Sequence, residues 1–154
     1  MRKLGLVGAV ALLVAGCGNG GGSTTTTARN AALDQSAARF VVRVQAQLRR
    51  GQFARAWRSL HPAQKRVVSA GRLAACYPRN AYPRTVTFRA SQVRDVSWNV
   101  PGTTGLSDAE AVAVTASAGG KTIDSFEQHI TRSRGAWHWM LSRAFFDKAR
   151  RGRC

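Results

Sequence analysis

The chain has 154 residues, with 24 basic and seven acidic side chains and a net charge of +17 when the histidines are neutral. This length accommodates one domain with extensions and excludes a large multidomain assembly. Because 44% of the residues are apolar, the chain can bury a core, and disorder along its whole length is excluded.

The N-terminus combines a positive start with a short apolar run. Arg2 and Lys3 are followed by apolar residues over positions 4–16. A helix needs about 20 apolar residues to cross a bilayer, so this run is too short to span one. A short apolar run behind basic residues is typical of a signal peptide, and we assign residues 1–16 to one.

The end of this run, Leu13-Val14-Ala15-Gly16-Cys17, resembles the lipobox of bacterial lipoproteins. The resemblance implies cleavage between Gly16 and Cys17 and a diacylglycerol on the Cys17 sulfur, with acyl chains such as palmitate. It therefore implies a cell-envelope protein held to the cell membrane by lipid, on the extracellular or periplasmic side. The open alternative is an ordinary secretory signal with an incidental cysteine.

Residues 17–28 are rich in glycine and threonine and offer almost nothing to a core. Such a segment is predicted to be a flexible tether that keeps the domain about 20 Å from the membrane. Residues 29–154 then form a single domain. Without residues 1–16, which include two basic side chains, the net charge is +15.

Two cysteines remain once Cys17 is assigned to lipid, namely Cys76 and Cys154. An exported domain meets oxidising conditions, in which two remaining thiols usually pair. We therefore expect a Cys76–Cys154 disulfide that holds the C-terminal tail. The alternative is two separate thiols, one buried and one at a disordered chain end.

Three helices are predicted in the first half of the domain. The first covers residues 30–50, with Asn30 as its N-cap and Gly51 as its stop, and one face carries the apolar residues Ala37, Phe40, Val41, Val44 and Leu48. The second, after Gln52, ends at Pro62, and the third begins there. Its apolar side includes Val67, Val68, Leu73 and Cys76, with an interruption expected near Gly71 and an end at Pro78.

Alternating apolar residues predict strands after Pro83. The first region is one long bent strand or two short ones, with a bulge within residues 92–95. Strands follow over residues 110–118, 121–132 and 136–142, and Gly119-Gly120 marks a hairpin turn. The tail, residues 143–154, carries two phenylalanines among arginines.

Helices followed by an antiparallel meander define an α+β fold, with helices packed on one face of a curved sheet. The segments at 53–62 and 135–141 resemble the second helix and the last strand of nuclear-transport-factor-2-like domains. This resemblance implies a cone-shaped cavity between helices and sheet. A cystatin-like fold, with one long helix on a sheet, is the nearest competitor.

The same resemblance implies that an enzyme of this fold would use an aspartate, or a histidine with a carboxylate, inside the cone. Glu127 and His129 lie two residues apart and share a strand face, but Phe126 and Ile130 mark the opposite face as the core side. We therefore interpret Glu127 and His129 as a surface pair and assign no catalytic residue. No spacing of histidines and cysteines matches a metal site, and no cofactor motif is present.

Two surfaces remain as candidate binding sites. Aromatic residues could line a pocket or simply fill the core; the candidates are Trp57, Trp98, Phe126 and Trp139. The C-terminal tail carries the densest basic patch, made of Arg143, Lys148, Arg150, Arg151 and Arg153.

These observations favour a membrane-anchored, non-catalytic domain that binds a small molecule or a protein of unknown identity. One alternative is a structural protein that associates with the envelope through charge, with anionic lipid or wall polymer as its partner. The other is a small isomerase or dehydratase that uses the cone. Nucleic acid is not expected as a partner of an exported protein.

Overall fold

The computed structural model describes residues 23–77 and 82–154, with side chains described from Leu33 onward. The predicted signal peptide, Cys17 and the first part of the predicted tether lie outside these residues. The described part of the chain has five helices, which are α1 (Ser23–Arg49), α2 (Phe53–Arg58), α3 (Pro62–Lys65), α4 (Ala70–Cys76) and α5 (Arg143–Arg151).

Helix α1 supplies the apolar face that the sequence predicts, and all five residues of that face are buried. The helix begins at Ser23, inside the segment assigned to the tether and well before Asn30, so Asn30 is not its N-cap. No glycine or proline interrupts the chain between Ser23 and Arg49, and a helix propagates through such a stretch at little cost per residue. Gly51, with φ of 70°, follows the end of the helix as predicted.

The predicted third helix is divided into α3 and α4. The His61 side chain accepts the N–H of Ala63 at 3.3 Å and caps α3, whereas Ser69 accepts the N–H of Arg72 at 3.2 Å and caps α4. The interruption therefore precedes Ser69, and Gly71 lies inside α4. His61 therefore marks the beginning of α3.

The sheet is an antiparallel meander of β1 (Thr87–Trp98), β2 (Ser107–Ala118), β3 (Lys121–Ser133) and β4 (Ala136–Trp139), in that spatial order. The tight turn at Gly119 and Gly120 has φ of 55° and 77°, which glycine adopts without strain. β1 is one bent strand whose register shifts between Ala90 and Gln92, just before the predicted position of the bulge.

β4 ends at Trp139, before the predicted end at Ser142. The Trp139 N–H donates to the Ser59 carbonyl at 3.0 Å, and its carbonyl accepts the His61 N–H at 2.9 Å. Two residues on, the N–H of Leu141 donates to the buried side chain of Gln64 at 2.9 Å. The Trp139 N–H and carbonyl thus lie on the edge of β4 that faces away from β3, and the Met140 N–H makes a last backbone contact with β3 by donating to the His129 carbonyl at 3.0 Å. Beyond it the backbone is satisfied by groups outside the sheet.

The C-terminal tail forms helix α5, which the sequence analysis does not predict. Ser142 accepts the N–H of Phe145 at 3.3 Å as the N-cap, and Phe146 and Ala149 are buried against the core. Beyond the helix, Cys154 is joined to Cys76 with a Cα–Cα distance of 4.7 Å. The expected pairing of these two cysteines is confirmed, and it closes the tail onto α4.

The core lies between the helices and one face of the sheet, which confirms the α+β class. Its largest cluster joins the apolar face of α1 to Val112 and Val114 of β2, Ile130 of β3 and Trp139 of β4. A smaller cluster of Val100, Ala109 and Met140 lies apart from it.

Candidate binding cavity

A cavity of about 390 Å³ opens beside the first half of β3. β4 pairs only with residues 130–133 of β3, so the edge of β3 before residue 130 has no neighbouring strand on that side. Helix α1, the chain after β4 and the start of α5 enclose the space instead. The short last strand therefore creates the opening.

The cavity is mainly apolar and aromatic. Leu48 of α1 and Phe126 of β3 contribute to its walls, and Tyr77 packs against Phe145 with ring centroids 6.0 Å apart. Burial raises the pKa of the Tyr77 hydroxyl, so the group is neutral. Such a lining favours a ligand with a substantial apolar part.

Two buried glutamines provide a polar wall. Gln45 Nε2 donates to Gln128 Oε1 at 3.0 Å, and Gln128 Nε2 donates to the carbonyls of Met140 at 2.8 Å and His129 at 3.0 Å. Gln45 lies among the apolar positions of α1, and Gln128 alternates with Phe126 and Ile130 on the core face of β3. A polar residue in an otherwise apolar periodic pattern was therefore the sequence signal for each glutamine, although not for their contact.

The rim carries carboxylates that are already engaged. The Tyr82 hydroxyl donates to Asp124 Oδ2, and burial together with this bond raises the pKa of Tyr82. Arg94 Nη2 donates to Glu127 Oε1 at 2.6 Å, and this hydrogen bond is the main reason that the pKa of Glu127 is lowered. Both carboxylates of the rim therefore act as hydrogen-bond acceptors.

His129 lies against the indole of Trp98, with the two ring centroids 3.5 Å apart. Burial lowers the pKa of His129, while the Glu127 carboxylate acts in the opposite direction. Among the described residues, His129 donates no hydrogen bond to the Glu127 carboxylate, which accepts from Arg94 instead.

The structure brings three of the four predicted pocket aromatics to the cavity. Trp98, Phe126 and Trp139 contribute to its lining, and Trp57 does not. The Trp57 indole instead donates to the Val68 carbonyl at 2.7 Å and fastens α2 to the segment before α4. Six further lining residues were not predicted as parts of a pocket, namely Gln45, Gln128, Tyr77, Tyr82, Asp124 and Phe145.

The predicted basic patch lies on α5 and the residues after it, and all five of its side chains are exposed. Arg150 pairs with Asp147 at 3.1 Å, and Arg143 donates to the Asn99 side chain at 3.0 Å. Part of the patch is therefore held in place by neighbours, and its cationic groups face solvent.

Burial lowers the pKa of His61 and of His138, and His138 is also a cause of the lowered pKa of His61. Among the residues that the structure describes, no group of three or more histidine, cysteine or acidic side chains is arranged to hold a metal ion. None of the described helices is both long and apolar enough to cross a membrane.

No protein-family model, curated protein or solved structure matches this chain.

Proposed function

We propose that this chain is an exported bacterial lipoprotein whose domain binds a small, largely apolar ligand without transforming it. The aromatic cavity beside β3 is the observation that carries the binding part of the proposal. Its volume of about 390 Å³ is within the range of small-molecule sites. The buried glutamine pair provides polar groups that could orient a ligand.

We attribute the cavity to a nuclear-transport-factor-2-like cone. Two features support this attribution: helices cover one face of a four-stranded antiparallel meander, and β1 is bent at a bulge. A bulge curves a strand and helps a sheet to wrap around an interior space. In such a fold the use of the cavity depends on its lining and not on the architecture.

Binding without catalysis is favoured by the state of the titratable groups at the rim. Glu127 is held by Arg94, and Asp124 accepts the Tyr82 hydroxyl. A general base must reach a substrate proton with a free lone pair and a suitable pKa. The lowered pKa of Glu127 makes it a weak base.

The binding proposal is tested with a neutral fluorescent probe such as N-phenyl-1-naphthylamine, titrated into the full chain. We expect saturable binding at one site per chain and weakening of at least fivefold in Phe145→Ala, which removes a wall of the cavity. Leu106→Ala is the matched control, because Leu106 is 71% exposed and is not among the residues that line the cavity. Equal probe affinity in the two variants would contradict the assignment of the cavity.

Native mass spectrometry of the chain purified from a bacterial envelope adds an independent test. A co-purifying mass that is absent from Phe145→Ala and retained by Leu106→Ala would identify the size of the natural ligand.

The anchoring part of the proposal rests on Leu13-Val14-Ala15-Gly16-Cys17. Cys17→Ser should abolish metabolic labelling by a clickable palmitate analogue and release the protein from the membrane fraction. Gly18→Ala, a neighbouring change that leaves the thiol in place, is the control. Unchanged labelling of Cys17→Ser would show that the cysteine is not the lipid attachment site.

A further inference from the structure

A groove distinct from the cavity beside β3 is bordered by cationic side chains. It has a volume of about 350 Å³ and lies between α1, α2 and β4. We call it the arginine groove; its lining is Arg43, Gln47, Arg55, Arg58, Ser59 and residues 136–138. Neither the cavity beside β3 nor the predicted basic patch includes any of these residues.

The three arginines of this groove are not neutralised by the described part of the protein. None of the seven acidic residues of the chain contributes to its lining. The ion pairs among the described residues are Arg94–Glu127 and Arg150–Asp147, both elsewhere. Unpaired guanidinium groups that share one concave surface create a local positive potential that attracts anions.

Regular structure sets the positions of these arginines. Arg55 and Arg58 are three residues apart on α2, and Arg43 lies one turn from Gln47 on α1, so each pair shares a helix face. The Arg43 guanidinium is 5.5 Å from the centre of the Phe40 ring, which restricts its orientation. A groove built on helices needs less ordering on binding than one built on loops.

The free edge of β4 adds a backbone donor. β4 is the last strand of the sheet, and the Trp139 N–H points away from β3 to reach the Ser59 carbonyl at 3.0 Å. Outward and inward N–H groups alternate along an antiparallel strand, so the N–H of Trp137 points the same way as that of Trp139. Trp137 is among the residues that line the groove, so its outward N–H is a candidate contact for a bound anion.

We propose that the arginine groove binds a phosphodiester, the group shared by anionic phospholipid headgroups and phosphate-containing wall polymers. Guanidinium groups bind phosphate oxygens through paired, charge-assisted hydrogen bonds, and a backbone N–H adds a further contact. Three guanidinium groups and this N–H offer more donors than a single carboxylate can accept.

The proposal rests on the exported location proposed above, because these polymers and headgroups lie outside the cytoplasm. It does not depend on the cavity beside β3, because the two sites share no residue. The two proposals can therefore fail separately. Loss of probe binding in Phe145→Ala tests the cavity, and loss of phosphodiester binding in a groove variant tests the arginine groove.

The test is a calorimetric titration of the full chain with a short poly(glycerol phosphate) and with dihexanoyl phosphatidylglycerol below its micelle concentration. We expect Arg55→Gln/Arg58→Gln to weaken binding at least tenfold. Arg150→Gln/Arg151→Gln is the matched control, because it removes the same charge from the α5 patch; its affinity should stay within twofold of the parent chain. The ligand that binds in the groove identifies the source of the phosphodiester.

Equal losses in the two double variants would overturn the proposal, since binding would then follow net charge alone. Absence of binding by both ligands would also overturn it. The Trp137 backbone amide provides a second measurement that does not need a variant: its NMR signal should shift and saturate with the calorimetric affinity. An unmoved Trp137 amide during saturating binding would place the ligand elsewhere.

Discussion

Glu110 is predicted to lower the stability of the folded domain at neutral and alkaline pH. It lies opposite Asp95 in the β1–β2 register, and its Oε2 atom is buried without a hydrogen-bond partner in the described residues. Burial, then the charges of Asp95 and Asp34, raise the pKa of Glu110 from 4.5 to about 7, although Arg132 acts in the opposite direction. The carboxyl therefore holds its proton more tightly in the folded state than in the unfolded state.

The sign of the pH dependence follows from this raised pKa. Protonation of Glu110 stabilises the folded state, and this stabilisation is complete only well below 4.5, the ordinary pKa of the group. It is lost as the pH rises through the folded-state pKa of about 7. Each pKa unit corresponds to about 1.4 kcal/mol, so the shift sets a ceiling of about 3 kcal/mol. Because Glu110 is only partly buried, solvent screening reduces the expected effect to about 1–2 kcal/mol.

Glu110→Gln replaces the carboxyl with a neutral group of the same size and should raise the free energy of unfolding by about 1–2 kcal/mol at pH 8. The difference from the parent chain should disappear well below pH 4.5, where the parent carboxyl is protonated in both the folded and the unfolded state. Urea denaturation at constant ionic strength measures both values. Histidine titration is common to the two proteins and cancels from the difference.

The control is Glu127→Gln, which removes an exposed carboxylate whose pKa is lowered by Arg94. This variant should show no gain in stability at pH 8. An equal gain for Glu110→Gln at pH 8 and at a pH well below 4.5 would refute the electrostatic explanation and indicate a packing effect.

Three further changes test the packing. Gly102→Ala should destabilise the fold by about 2 kcal/mol in thermal or urea unfolding. The reason is that Gly102 has φ of 92° and that an added Cβ would lie 2.9 Å from the Phe146 ring. An unchanged stability would mean that α5 packs elsewhere. Gln64→Leu should cost about 2–4 kcal/mol, because it leaves the Leu141 N–H without its acceptor, and faster hydrogen exchange at that amide distinguishes this cause from general loosening. Cys154→Ser should lower the free energy of unfolding by about 4 kcal/mol, since a span of 78 residues loses its cross-link. An unchanged free energy of unfolding would indicate that the unfolded chain already holds these ends together without the disulfide.

The sequence was sufficient to predict the elements whose patterns are local. The buried face of α1 follows from apolar residues at helical spacing, and the hairpin between β2 and β3 follows from Gly119-Gly120. The α+β class follows from the order of these patterns along the chain. Each of these features depends on neighbours within a few residues.

The candidate cavity could be predicted only in part. Aromatic residues could be recognised as candidates, and three of the four line it, but the sequence could not distinguish Trp57 from the others. Trp57 is set apart by its hydrogen bond to the Val68 carbonyl, a contact that depends on how α2 packs against the segment between α3 and α4. The Gln45–Gln128 pair joins residues 83 positions apart, and no local pattern connects them.

The sequence by itself determined the class of fold, the apolar faces and the tight turns, because local periodicity and backbone preference act over short distances. Tertiary structure decided where β4 ends, where the third predicted helix divides and that the arginine-rich tail forms α5. In each case a long-range partner satisfies the backbone or covers the apolar side: Ser59 and Gln64 for β4 and the residues after it, and the core for Phe146. Those partners are close only after the chain has folded, and the free edge of β3 that opens the cavity is a consequence of the same contacts.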